Sequence, residues 1–276
     1  MLFSPVFRQV LRKRRVARWR RCNARSTGTS GEIKETIRIT LPMQLALEIL
    51  GNFPPTTHAS FSDVIYLAHS TPPVALSPSA SSELLHLLIN ALQMNMVVDE
   101  SLFLLFRFLT HENINISPDV ATSLCTVFTA LASTHVDSTI RQLNLRLLSL
   151  TLTKLPPPPR LDILLKLTTD EDFPQIRGPA VGLVKEAVLE ALALPPEQAS
   201  RNPFASPELL RIFGSVLFRP NPPEFFDERK TREELAQSLE LLRIADCLSF
   251  YYVLLQRDQE NKVRLAWAAA AFYIVF

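Results

Sequence analysis

Glycine is scarce in this sequence, with six in 276 residues, whereas the 21 prolines gather in clusters. Phosphate-binding loops draw on glycine, and so do the many tight turns of a sandwich or barrel. Nucleotide-binding α/β enzymes and all-β folds are therefore disfavoured. Clustered proline suits the turns between helices. Cysteine is sparse as well. Cys22, Cys125 and Cys247 lie far apart, with neither a CxxC pair nor metal-ligand spacing. An odd, scattered set fits a reduced intracellular protein. Cys125 and Cys247 read as small core residues, with redox sensing by Cys247 as the sharper alternative. Long apolar runs are also missing. No segment reaches the ~20 residues that span a bilayer, and the nearest approach is the apolar stretch 265–276.

Catalytic signatures are missing too. His58, His69, His86, His111 and His135 are dispersed, and His111-Glu112 lacks the second histidine of a zinc-protease helix. No GxGxxG, Walker loop or GxSxG occurs. Asp170-Glu171-Asp172 reads as a solvated loop and cap rather than a metal site. His135 and Asp137 would need a distant nucleophile to act as a catalytic pair. The phenylalanine and leucine stripe at 102–109 reads as core, not as a cofactor pocket. The expectation is a protein that is not an enzyme, with no catalytic, cofactor-binding or metal residue and no small-molecule substrate.

Acidic residues are absent from the first 31 positions, which hold nine of the 29 lysines and arginines. The remainder carries 20 basic and 27 acidic residues, a net charge of −7. By bulk electrostatics that main body is a poor nucleic-acid binder. Within 1–31, Leu2, Phe3, Val6, Phe7, Val10 and Leu11 share one helical face and Arg8, Arg12 and Arg15 fall mostly on another. Three readings stay open: a mitochondrial presequence or other extension, a basic tail for RNA, membrane or acidic proteins, or a stretch not native to the fold. The abrupt change of charge at Gly31 favours the last.

What the sequence does contain is helical punctuation. A helix interrupted by Pro42 is expected before Gly51, and another from Ser60 to His69. Ser81-Ser82-Glu83 resembles a cap for a broad leucine face, and Asp99 is expected to cap the helix at 102–109. Ser117-Pro118-Asp119 is a cap followed by proline at the first helical position. Asp137 opens a helix that is expected to stop at the prolines 156–159, with a short helix over 161–167. Ser206-Pro207-Glu208 repeats the serine-proline-acid start. The capping box Thr231-Arg-Glu-Glu234 opens a long helix expected to reach Gln256. Strand alternation is absent over any useful length.

Helical hairpins recur at intervals of roughly 35–45 residues, the spacing of HEAT or armadillo units. The stretch Asp172-Phe-Pro-Gln-Ile176-Arg177-Gly-Pro-Ala180-Val181-Gly-Leu183 resembles the second-helix pattern of a HEAT repeat. There the acid would cap and pair with an arginine across the repeats. Gly182 costs about 1 kcal/mol against alanine in a helix, so close packing is expected to require it. The fold expectation is all-α: a HEAT/ARM-like α-solenoid of antiparallel hairpins over 32–264, flanked by the basic extension 1–31 and the apolar tail 265–276. That tail and the foreign character of the first residues suggest a fragment.

Two stretches, 175–185 and Ser249-Phe-Tyr-Tyr-Val-Leu-Leu-Gln-Arg-Asp-Gln-Glu-Asn261, resemble the glomulin/Yap-binding-protein family of HEAT-like α-solenoids. The second is similar in its consecutive aromatics, leucines and basic-acidic tail. The resemblance implies a protein-binding adaptor or scaffold without cofactors. Its partner would be a bZIP oxidative-stress factor or the RING subunit of a cullin ubiquitin ligase. It offers Tyr251, Tyr252 and Arg257 as candidate protein contacts, against plain packing within a long helix. The expected location is cytoplasmic, with the nucleus as a further site, or mitochondrial if the basic start is a presequence. The rival functions are a HEAT-type transport or assembly scaffold and a mitochondrial helical-repeat RNA binder.

Overall fold

The computed structural model describes residues 61–69, 78–110, 116–226 and 231–263. All of them belong to one compact unit, within Ala46–Phe276. The expectations for 1–31, for the helix around Pro42, for Cys22, His58 and His111, and for the tail 265–276 fall outside the described residues. Eleven α-helices and no β-strand occur among the described residues. They are α1 Phe61–His69, α2 Pro78–Gln93, α3 Val98–Thr110, α4 Pro118–Thr134, α5 Ser138–Thr153 and α6 Pro157–Thr169. They continue with α7 Arg177–Leu192, α8 Pro196–Ala199, α9 Glu208–Phe218, α10 Arg232–Gln237 and α11 Leu239–Arg257.

Local chemistry explains most of the starts. The Ser117 hydroxyl accepts from the Val120 amide at 3.3 Å, with Pro118 in the first turn of α4. The Asp137 carboxylate accepts from the Thr139 amide at 2.8 Å and begins α5. Each bond satisfies an amide that the helix itself leaves without a partner.

Elsewhere the punctuation works differently from expectation. The prolines 156–159 do not merely stop α5. Three of them occupy the first turn of α6, which therefore starts at Pro157 and not at Leu161. First-turn amides have no intrahelical acceptor, so losing them to proline costs little there. Asp99 lies inside the first turn of α3 instead of capping it, because the helix begins at Val98. The helix expected from Thr231 to Gln256 is two helices. The capping box is present, but Ser238 is extended (φ −74°, ψ 120°) and its hydroxyl accepts from the Leu241 amide at 3.3 Å. A second capping serine ends α10 and restarts the chain as α11.

The helices pack in two series. α1, α3, α5, α7 and α11 touch in succession, and so do α2, α4, α6 and α9. Across the series α2 meets α1 and α3, α4 meets α5, α6 meets α7, and α9 meets α11. The core lies between them. Leu124 and Phe128 of α4 are fully buried, as are Leu147 and Leu148 of α5. α3 is central as expected, with Leu102, Leu104, Leu105, Phe108 and Leu109 buried. Polar ties join neighbours: Ser149 of α5 donates to Glu186 of α7 at 2.8 Å, and Arg160 of α6 pairs with Glu190 of α7 at 2.6 Å.

The HEAT-like stretch keeps its arginine but changes partners. Asp172 is exposed. It is Asp170 whose carboxylate accepts from the Phe173 amide at 2.7 Å, and whose carbonyl accepts from Arg177 Nε at 2.6 Å. The glycine expectation also moves by one turn. A Cβ at Gly182 would meet nothing within 4 Å, whereas one at Gly178 would come within 3.1 Å of Asp246 Oδ2 and 4.0 Å of the Arg243 Cα. Gly178 is where α11 approaches the backbone of α7. Gly182→Ala is therefore expected to stabilise by about 0.5–1 kcal/mol. Gly178→Leu is expected to destabilise by about 2 kcal/mol through overpacking. The midpoint of urea unfolding reads both.

Candidate functional site

Two seams run along α11. Arg243, Cys247, Phe250 and Leu254 recur at spacings of four, three and four, so they share one face, and all four are buried. That face packs on α7 and α9. Leu248, Tyr252 and Leu255 repeat the same spacing half a turn away, and they face solvent with exposures of 64%, 62% and 54%. Leu239 and Leu242 add exposed apolar surface on the first turn. A helix that is apolar on both sides has one face for its own core and one left over. Large solvent-facing side chains aligned in this way mark interaction surfaces more often than scattered ones do.

The buried face is anchored by a charge cluster. Glu240 accepts from Arg243 Nε at 2.8 Å and from Nη2 at 2.5 Å. The same guanidinium donates to the carbonyls of Val216 and of Arg219, the latter at 2.7 Å, at the end of α9. Glu240 also accepts from the Asn221 amide at 2.8 Å. Arg243 thus closes the C-terminal carbonyls of α9, which have no intrahelical donor, and holds α11 against them. The far end of α11 is shaped by Asp258. Its carboxylate accepts from the amides of Lys262 and Val263 at 2.8 and 2.9 Å, and Val263 is fully buried.

The three candidate contacts are separated by this geometry. Tyr252 sits in the exposed seam, Tyr251 is half-buried on the flank, and Arg257 is exposed in the last turn. Arg257 there interacts favourably with the helix C-terminus. The sequence reading missed Leu248 and Leu255, although their spacing with Tyr252 was available as a second apolar period in one helix. It missed Arg243 as well, because nothing local distinguishes a buried arginine from an exposed one.

Other candidates resolve into structure. His135 Nδ1 accepts from the Asp137 amide at 3.1 Å, and the Asp137 carboxylate is committed to capping α5, so this pair builds a turn. No group of three or more His, Cys, Asp or Glu side chains that could hold a metal occurs among the described residues. No helix among the described residues is long and apolar enough to cross a membrane.

Cys125 and Cys247 are free thiols and both are buried. Burial pushes Cys125 up to about 12. Burial likewise pushes Cys247 up to about 11, with Arg243 pulling it down only in part. A thiol attacks as the thiolate, and burial disfavours that form at both positions. Both residues are expected to resist iodoacetamide at mildly alkaline pH in the native protein and to react once it is unfolded. The sign follows from linkage. Both values lie above the ordinary thiol value of about 8.5, so the native state holds these protons more tightly. The resulting stability is present below that value and is lost as pH rises toward about 11 and 12.

A family model described as "Uncharacterised protein family, YAP/Alf4/glomulin" matches residues 40–269. No curated protein and no solved structure matches the chain.

Proposed function

Because the chain belongs to the YAP/Alf4/glomulin family, we propose that it is a non-enzymatic adaptor that binds a regulatory protein through the exposed face of α11. Its helices form a HEAT-like solenoid on this reading. Support comes from the contacts between successive members within each of the two series and between paired helices across them. The observation that carries the binding role is the seam of Leu248, Tyr252 and Leu255, solvent-facing on a helix whose opposite face is anchored by Arg243. Covering one such side chain is worth about 1.5–3 kcal/mol. The occupant proposed is the bZIP stress factor, with the RING subunit of a cullin ligase as the other family partner, and the cytoplasm as the place of action.

The test is a titration of the full chain with the purified bZIP factor and, separately, the RING subunit. Leu248→Asp with Tyr252→Asp is expected to weaken binding about a hundredfold, from ~2.7 kcal/mol of lost burial. Thermal unfolding should be nearly unchanged, because both side chains are already in water. Equal affinity of the double variant and the natural sequence, or no binding of either protein, would sink the proposal.

A further inference from the structure

The exposed seam of α11 has the repeat of a helix–helix contact. Ala245, Leu248, Tyr252 and Leu255 follow one another at spacings of three, four and three, and all but Leu248 and Leu255 differ in size. Ser249 and Gln256 flank them, and none of the six carries a charge. The relief is uneven: Tyr252 stands out, while Ala245 and Ser249 leave hollows.

The chain leaves α11 through a tight turn. Asn261 takes the left-handed conformation at φ 51°, which asparagine tolerates, and its amide donates to the Asp258 carbonyl at 2.9 Å. The Asp258 carboxylate holds the amides of Lys262 and Val263. With Val263 fully buried, the chain departs from a fixed point close to the end of α11. The turn spans residues 258–263, a usual length between antiparallel helices.

Residues 264–276 lie outside the described residues, but their order is informative. None of residues 265–276 is charged, and alanine fills 268–271. Leu265, Ala269, Phe272 and Phe276 recur at spacings of four, three and four, which places them on one face of a helix. Counted back evenly from the turn, Leu265 comes opposite Gln256, Ala269 opposite Tyr252, Phe272 opposite Ser249 and Phe276 opposite Ala245. In the last three pairs a large side chain meets a small one, the interdigitation that close packing requires. An uncharged stripe and an uncharged tail joined by one short turn each supply the apolar surface that the other lacks.

We propose that residues 264–276 fold back as a helix antiparallel to α11 and cover its exposed face, so that the tail and the partner compete for one surface. The masking rests on the adaptor reading above; the contact between tail and α11 does not. A short tether gives the tail a millimolar effective concentration, and a partner then binds only the uncovered fraction.

The test uses the full chain with Cys22→Ser, since Cys125 and Cys247 are buried. Ser249→Cys places a thiol on the exposed face. Phe272→Asp is expected to speed its alkylation by iodoacetamide about tenfold, by releasing the tail. With oxidised glutathione, Ser249→Cys should form a disulfide with Phe272→Cys within one chain, about tenfold faster than with Ala270→Cys on the opposite side of the tail helix. Without the added cysteines, Phe272→Asp should tighten binding of the bZIP factor or the RING subunit about tenfold. Equal alkylation with and without Phe272→Asp, equal rates for the two disulfides, or disulfides only between chains would overturn the contact. Unchanged partner affinity in Phe272→Asp would overturn the masking while leaving the adaptor reading intact. If neither partner binds any variant, the adaptor reading fails and the masking with it, and alkylation and cross-linking still decide the contact.

Discussion

Arg243→Ala is expected to lower the free energy of unfolding by about 3–5 kcal/mol, read as a fall in the urea midpoint. The side chain is 4% exposed and its partner Glu240 is 10% exposed. Removing the guanidinium leaves that carboxylate in a dry setting without its cation. It also leaves the carbonyls of Val216 and Arg219 without their donor. Most of the loss is the penalty of the orphaned groups rather than the net worth of the pair. A double variant, Arg243→Met with Glu240→Leu, is therefore expected to lose less than Arg243→Ala alone. If the double variant loses as much or more, the cluster holds α11 by packing and not by charge. Partner binding separates the two faces of α11. Arg243→Ala should weaken it only through instability of the helix, whereas Leu248→Asp should weaken it in a fully folded protein.

Phe204→Ala is expected to cost about 3–5 kcal/mol, measured in the same unfolding experiment. Phe204 belongs to a single 3₁₀ turn, Pro203–Ala205, between α8 and α9. That turn touches α6, α7 and α9 together, and the ring is 1% exposed. The Arg160 guanidinium lies 5.8 Å from the ring centroid and adds a cation–π contact. The alanine variant would leave a cavity at the meeting point of three helices, which cannot close without moving one of them. Val136→Ala provides the contrast. At 94% exposure it is expected to change stability by less than about 0.5 kcal/mol. A loss at Phe204 no larger than that would mean the connector is only a tether.

Neither prediction could be written from the amino-acid order alone. Phe204 sits among prolines and small residues without a periodic pattern, so nothing marks it as an anchor. Arg243 falls inside a helical pattern, where an arginine ordinarily faces water. The family relationship was legible in Ser249–Asn261, yet that resemblance drew attention to Tyr251 and Arg257, which the fold places off the exposed seam. Asp258, in the same stretch, proves to shape the turn after α11.

The sequence by itself determined that the chain is helical and where several helices start. Helix formation and capping are local: the spacing of apolar residues, a serine or aspartate before them and proline in a first turn act over a few positions. Ser117, Asp137 and the Thr231–Glu234 box were therefore readable. Tertiary structure decided which of two glycines meets another helix, that Ser238 divides one expected helix into two, and that Asp170 serves where Asp172 was expected. It also decided which apolar face of α11 is covered and which is left to solvent. Those outcomes depend on contacts between α7, α9 and α11, residues 27 apart in the case of Arg243 and Val216. A pattern of period 3.6 states that a helix has two apolar faces. Only the neighbours that arrive determine which face becomes core.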